Sequence, residues 1–202
     1  TKTTGVLLHG RRGTGKSTIV KWLAMTLERN LILATSNNLP EVIDYIQTHH
    51  TGGKKWIILI EDIDLMFTDR RKTHTRGKRD EESEEIDKEM NLRTNQLFQI
   101  LDGVLADSDL LVVATTNYFD RLDPALIRDG RFDHKIKIDG LDYDSAAKVC
   151  ERFEIDPDDI QLSDWRLPII PATLQTVIMR YKVTGDMNYD PKNAVEEETE
   201  EN

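Results

Sequence analysis

The run Gly10-Arg11-Arg12-Gly13-Thr14-Gly15-Lys16-Ser17 sets glycines, a lysine and a hydroxyl within eight consecutive positions. The pattern G-x-x-x-x-G-K-[ST] cradles phosphate when a strand precedes it and a helix follows. Both flanks are present: the apolar run Val6–His9 comes before it, and a stretch expected to be helical from Gly15 to Arg29 comes after. Glycines let the backbone curl so that its N–H groups point inward, and a helix N-terminus adds a dipole that favours negative charge. Lys16 is therefore expected at the β and γ phosphates of ATP and the Ser17 hydroxyl on Mg2+. Gly10, Arg11, Arg12, Gly13, Thr14, Gly15 and Thr18 complete the expected contacts. A glycine-rich turn with a chance lysine is the competing reading, and the flanking elements weigh against it.

A second group of candidates ends the apolar run Ile57-Ile58-Leu59-Ile60, where Glu61 and Asp62 follow directly. Phosphoryl transfer to water needs one acid for the metal and one to orient and polarise the attacking water. The pair resembles the Walker B arrangement of P-loop ATPases, which by position implies Glu61 for the metal and Asp62 for the water, with the opposite division as the alternative. Asp is one methylene shorter than Glu, so that water must sit closer to the backbone. Acids that merely solvate a strand end are the alternative. Asp64 is expected to pack or hydrogen-bond nearby. Asn117 closes the run Ala114-Thr115-Thr116-Asn117, where a strand of an open α/β sheet meets its ligand crevice. Its amide is placed to sense the γ-phosphate or the water, although Asn at a strand end is also ordinary turn chemistry.

Positioning these groups requires a sheet. Val6–His9, Leu31–Thr35, Trp56–Ile60, Leu110–Thr115 and Lys135–Ile138 read as short buried strands with helical patterns between them, which implies an α/β fold with a mostly parallel sheet. In the first helix Ile19, Leu23 and Leu27 recur every four residues as one apolar stripe. A second helix is expected over Pro40–Thr48, with proline in its first turn. Between Asp69 and Met90 a basic block (Arg70, Arg71, Lys72, Arg76, Lys78, Arg79) meets an acidic one, and the expectation is a mobile loop. From about Leu92 a helix buries Leu97, Ile100, Leu101 and Val104. Tyr143–Phe153 and Pro171–Tyr181 read as helices of a small lid. The expected organisation is a large α/β nucleotide-binding subdomain over 1–139, a small helical lid over 140–184 and an acidic, disordered tail over 185–202.

Composition narrows the function classes. The net charge of −10 arises from 27 basic and 37 acidic residues, unlike the basic footprint of a nucleic-acid binder. Cys150 is the one cysteine, so no internal disulfide forms, and no Cys/His cluster has metal-ligand spacing. His49 and His50 read as polar loop residues. No run reaches the roughly 18 apolar residues of a membrane helix, and no signal-peptide layout opens the chain. The chain starts at Thr1 and reaches an apolar strand almost at once, as a piece of a longer protein would. The expectation is an intracellular, cytoplasmic domain as given, whose membrane anchor or targeting segment, if any, lies upstream.

The run Leu122-Asp123-Pro124-Ala125-Leu126-Ile127-Arg128-Asp129-Gly130-Arg131-Phe132-Asp133, following Asn117, resembles the second region of homology of the AAA ATPases. The resemblance spans roughly Gly5 to Val183. It implies a five-stranded parallel sheet of order 5-1-4-3-2 and a homo-oligomeric ring in which arginines of one subunit complete the site of the next. It also implies that Asn117 is sensor 1 and that Arg128 and Arg131 are arginine fingers; a surface salt bridge is the alternative for each arginine. The order Glu61-Asp62, reversed from most AAA relatives, is similar to the Bcs-type branch, as are Leu101-Asp102-Gly103-Val104, the run from Arg121 to Arg128 and Pro171-Ala172-Thr173-Leu174-Gln175. The namesake of that branch is the mitochondrial translocase of the Rieske iron–sulfur protein, which implies translocation, remodelling or chaperoning of a protein substrate, rings of six or seven subunits and, with an upstream anchor, the mitochondrial inner membrane. Asp129 departs from the proline usual there, and the 69–90 insertion is long. Asn37, Asn38 and Leu39 lack the aromatic with which threading unfoldases grip substrate. A nucleotide-gated scaffold with weak hydrolysis is the second reading; a nucleic-acid motor, resting on the 70–79 basic block alone, is the third.

Overall fold

The computed structural model describes residues 3–35, 38–49, 55–66, 94–102, 109–128 and 130–185. The expected charged loop at 69–90, Val104, Asn37, His50, Asp129 and the tail beyond Gly185 lie outside the described residues. Contacts divide the chain into two units, one comprising Thr1–Gly10 with Lys16–Lys137 and the other Arg11–Gly15 with Ile138–Asn202.

In the first unit the strands are β1 (Thr4–His9), β2 (Asn30–Ala34), β3 (Trp56–Ile60), β4 (Leu110–Thr116) and β5 (His134–Lys137). They form one sheet of order β2-β3-β4-β1-β5, with all neighbours parallel. Read from the other edge, this is the order 5-1-4-3-2 expected above. The helices are α1 (Lys16–Thr26), α2 (Leu39–His49) and α3, described over 94–101. The uninterrupted apolar run of β3 makes it a central strand, buried at every position. Strand side chains alternate between faces. Leu7, Ile58, Ile60, Val112 and Ala114 share one face, packed with Leu39, Val42 and Ile46 of α2 and Leu97, Ile100 and Leu101 of α3. α1 packs across β2, β3 and β4.

The apolar stripe read for α1 is displaced. Lys16, Val20 and Ala24 face inward, whereas Ile19 and Leu27 are 38% and 45% exposed. Small side chains at Val20 and Ala24 let the helix lie close to the sheet, and the larger residues flank the contact. His49 belongs to α2 and stacks on Tyr45, ring centroids 4.1 Å apart, so it is no loop residue.

In the second unit, α4 (Tyr143–Arg152) and α5 (Pro171–Thr184) pack with two short 3-10 turns, Pro157–Ile160 and Leu162–Asp164. Asp142 caps α4 by accepting the Ser145 N–H; hydrogen bonding from the Ser145 side chain, and then from that N–H, holds its carboxyl below the usual range. Pro171 opens α5 and Gly185 ends it in the left-handed conformation. Cys150 lies in the core with Ala146, Ile160, Leu174 and Ile178, and burial pushes its thiol pKa up, away from reactivity.

Candidate active site

Lys16 opens α1 and is 8% exposed. An ammonium so nearly buried requires oxygen partners. Its Nζ donates to the Gly10 carbonyl at 2.8 Å and to Asn117 Oδ1 at 2.7 Å. Asn117 lies just beyond β4 and donates through Nδ2 to Asp62 Oδ1 at 3.1 Å. The amide can be oriented only one way here, because the ammonium has no acceptor and the carboxylate no donor. A continuous chain from Lys16 through Asn117 to Asp62 therefore links the motif lysine to one of the paired acids.

Asp62 sits in the left-handed region at φ 47°, a conformation that Asp tolerates better than most residues. Its N–H donates to Thr115 Oγ1 at 3.3 Å. Glu61 and Ser17 are both half-buried. Asp64, two residues further, is buried and accepts a hydrogen bond from Thr116 Oγ1. The sequence leads one to expect such a bond but does not identify the partner.

At the loop apex, within the second unit, the Thr14 hydroxyl donates to the Arg11 carbonyl at 2.9 Å, and Thr14 is buried. Gly13 has φ +74°, and a Cβ there would meet Ala172 Cβ at 2.9 Å and Ile170 Cγ2 at 3.1 Å. Its carbonyl accepts the Ala172 N–H at 3.2 Å. The apex thus rests on the first turn of α5, so glycine is required by contact as well as by φ. Arg11 and Arg12 are exposed, as is Thr18 of α1.

Among the described residues no group of three or more His, Cys, Asp or Glu is arranged to hold a metal ion. A Ser17 hydroxyl with one carboxylate at Glu61 is still a suitable donor set for Mg2+, which binds through one or two protein oxygens, waters and substrate phosphates rather than in an all-protein cage.

The two arginines have different surroundings. The turn that carries them is fixed by Leu122, Leu126 and Phe132, all buried, and by Asp123, whose carboxylate accepts the Ala125 N–H. Gly5 of β1 lies beneath it, and a Cβ there would stand 2.1 Å from the Arg131 carbonyl oxygen. The Arg131 side chain points inward: Nε and one terminal nitrogen donate to the two Asp102 oxygens at 3.2 and 3.3 Å. Its other terminal nitrogen donates to the Ala125 carbonyl at 2.8 Å, and the guanidinium lies 3.4 Å from the Phe98 ring centroid. Arg128 is exposed. The resemblance gave both arginines one role, but in this chain Arg131 is engaged within its own unit.

Residues 6–140 match the family described as "ATPase family associated with various cellular activities (AAA)". The chain is 34% identical over 162 residues to a probable mitochondrial chaperone, BCS1-A, of Dictyostelium discoideum, covering 79% of this chain and 37% of that protein. It is 30% identical over 156 residues to proteasome-activating nucleotidase 2 of Halobacterium salinarum, covering 73% and 36%. To the ATP-dependent zinc metalloprotease FtsH of Leptotrichia buccalis it is 30% identical over 172 residues, covering 79% and 21%. The chain thus spans little more than a third of the first two relatives and about a fifth of the third. No helix among the described residues is long and apolar enough to cross a membrane.

Proposed function

The chain belongs to the AAA ATPases, whose chemistry is ATP hydrolysis, and from that premise we propose how its residues divide the work. The Lys16–Asn117–Asp62 chain carries the reading. Nucleotide phosphates displace the Asn117 oxygen from Lys16, which then neutralises the β and γ phosphates within the N–H-lined loop from Gly10 to Thr18. The freed amide oxygen of Asn117 turns to the attacking water, while its Nδ2 stays on Asp62. Asp62, half-buried at the sheet end, orients that water and accepts its proton. Ser17 and Glu61 would supply the protein oxygens for magnesium. Magnesium, when bound with the nucleotide, offsets charge on the phosphate oxygens.

The ring assigns Arg128 to the neighbouring subunit's γ-phosphate, where a planar, permanently charged fork stabilises spreading negative charge. Arg131 holds the turn that presents it. The work driven by hydrolysis is translocation, remodelling or chaperoning of a protein substrate in a homo-oligomeric ring. The chaperone and proteasome-activating names of the relatives support this, and the mitochondrial name of one supports a mitochondrial placement.

The test is ATP turnover per subunit as protein concentration rises, for the parent, Asp62→Asn and Arg128→Ala. Specific activity that climbs with concentration and is lost in both variants is the expected result. Turnover that is independent of concentration and survives loss of Arg128 overturns the shared site. ATP-dependent assembly with Asp62→Asn turning over as fast as the parent points instead to the scaffold.

A further inference from the structure

Two neighbouring threonines at the end of β4 fasten the catalytic turn from opposite faces of the sheet. Thr115 Oγ1 accepts the Asp62 N–H at 3.3 Å. Thr116, fully buried, donates its hydroxyl to Asp64, which is 4% exposed. The Thr116 oxygen in turn accepts the Tyr118 N–H at 2.9 Å. Asn117 is therefore held on both sides, through the residue before it and the N–H of the residue after it. Asp62 is held likewise, by Thr115 at its N–H and by the Leu65 N–H, which donates to its carbonyl at 2.9 Å.

Neither arrangement is what local preference alone would produce. A buried carboxylate is costly unless hydrogen-bonded, and a left-handed backbone at a non-glycine residue persists only where its surroundings over-determine it. Both features occur within three residues of one turn, and the side chains they support, Asp62 and Asn117, meet at 3.1 Å. A general base works only when its oxygen is within hydrogen-bond reach of the proton it takes. A misplacement of about 1 Å by a residue outside the chemistry costs on the order of 10²-fold in rate.

We propose that Asp64 and Thr116 are positioning residues for hydrolysis: their buried carboxylate–hydroxyl pair locks the β3 and β4 ends so that Asn117 and Asp62 meet in the geometry the attacking water needs. Both are buried, with Thr116 0% and Asp64 4% exposed, so the pair is expected to act on turnover and not on affinity. The inference rests on the roles given above to Asp62 and Asn117.

The decisive variant is Thr116→Val, which keeps shape and volume but removes the hydroxyl. It is measured beside Thr116→Ser and Asp62→Asn, in the assembled protein, with ATP affinity and thermal unfolding recorded for each. The expected result is a fall in kcat of about 10²-fold with ATP affinity unchanged, and recovery of most of the loss in Thr116→Ser. A folded Thr116→Val protein with the parent's kcat overturns the proposal, as does a loss of ATP affinity matching the loss of turnover. If Thr116→Val fails to fold, Asp64→Leu decides: it keeps the approximate side-chain volume and removes the acceptor oxygen. Lower kcat at unchanged affinity supports the pair, and a lower Tm with unchanged kcat overturns it. Asp62→Asn separates the two levels of the argument. If it retains full turnover, the assignment of Asp62 fails; if it abolishes turnover while Thr116→Val does not lower it, the positioning pair alone fails.

Discussion

Charged and polar side chains gather at both ends of the parallel sheet, but they are arranged differently. At the carboxyl ends of β3 and β4, with Lys16 following β1, Lys16, Asp62, Asp64, Thr116 and Asn117 are buried or half-buried and bonded to one another by side chains. At the amino ends, the half-buried Arg29 and Asp109 and the exposed Lys55 form a second cluster. The Arg29 guanidinium donates to the Asp109 carbonyl at 2.8 Å and to its carboxylate at 2.9 Å, and Lys55 lies 3.5 Å from the same carboxylate. Residues of the same types thus converge on one point at one end and tie together the starts of three strands at the other. In open α/β sheets the ligand crevice lies at the carboxyl ends. Burial of Lys16, Asp64 and Thr116, and convergence on one point at the carboxyl ends, separate the candidate site from the strand-start cluster here better than charge does.

If that contrast is sound, substitutions at the carboxyl end change rates by orders of magnitude and those at the amino end change stability by small amounts. The largest effect is expected from Lys16→Ala, which removes the cation proposed to meet the phosphates and should abolish ATP binding in a direct binding assay. Tight ATP binding by that variant would count against the whole phosphate site. Next is Arg128→Ala, with turnover reduced by about 10³-fold or more and nucleotide binding by the isolated subunit retained. Asp102→Ala sharpens the distinction between the arginines. If Arg131 acts within its own unit, freeing it from Asp102 lowers the Tm and slows turnover together. If Arg131 reaches the neighbouring subunit, the same change releases it for that purpose and turnover does not fall.

Much of this is legible in the chain because the apolar runs are short and punctuated. The all-apolar Trp56–Ile60 makes a central strand without competition, and Gly10–Ser17 has a spacing that few other structures require. Three features escape such a reading for physical reasons. Four-residue spacing identifies Ile19, Leu23 and Leu27 as a stripe, yet close packing on the sheet selects Val20 and Ala24, because smaller side chains bring the helix nearer. Arg131 carries no local mark that distinguishes it from Arg128; its inward course depends on Asp102 and Phe98, which lie well before it in the chain. The left-handed turn at Asp62 and the Thr116–Asp64 bond join segments 52 residues apart, and no periodicity reports such a pairing. One signal is present in the sequence: two adjacent threonines precede Asn117, and on opposite faces of a strand they must find different partners.

At the amino end the expected effects are smallest. Arg29→Ala removes two hydrogen bonds from a side chain that is 15% exposed, but the partner carboxylate is 46% exposed. A loss of about 1 kcal/mol, or a few degrees in Tm, with unchanged turnover per folded subunit, is the expectation. The same cluster gives a pH signature. The Asp109 carboxyl is held below its ordinary value of 3.8, chiefly by the hydrogen bond from Arg29, against the opposing effect of burial, and further by the charges of Arg29 and Lys55. With its folded pKa depressed, the folded state binds fewer protons than the unfolded one in this range, so stability rises with pH there. That contribution is complete above the ordinary value and is lost as the pH falls through the depressed one. The Asp109→Asn variant lacks it at every pH. Because the other carboxylates titrate equally in both proteins, the informative quantity is the Tm difference between the parent and that variant. It should be widest near neutral pH and close progressively below about pH 4. A difference that stays constant across that range would mean that Asp109 stabilises the strand starts through its shape and its backbone carbonyl, and not through its charge.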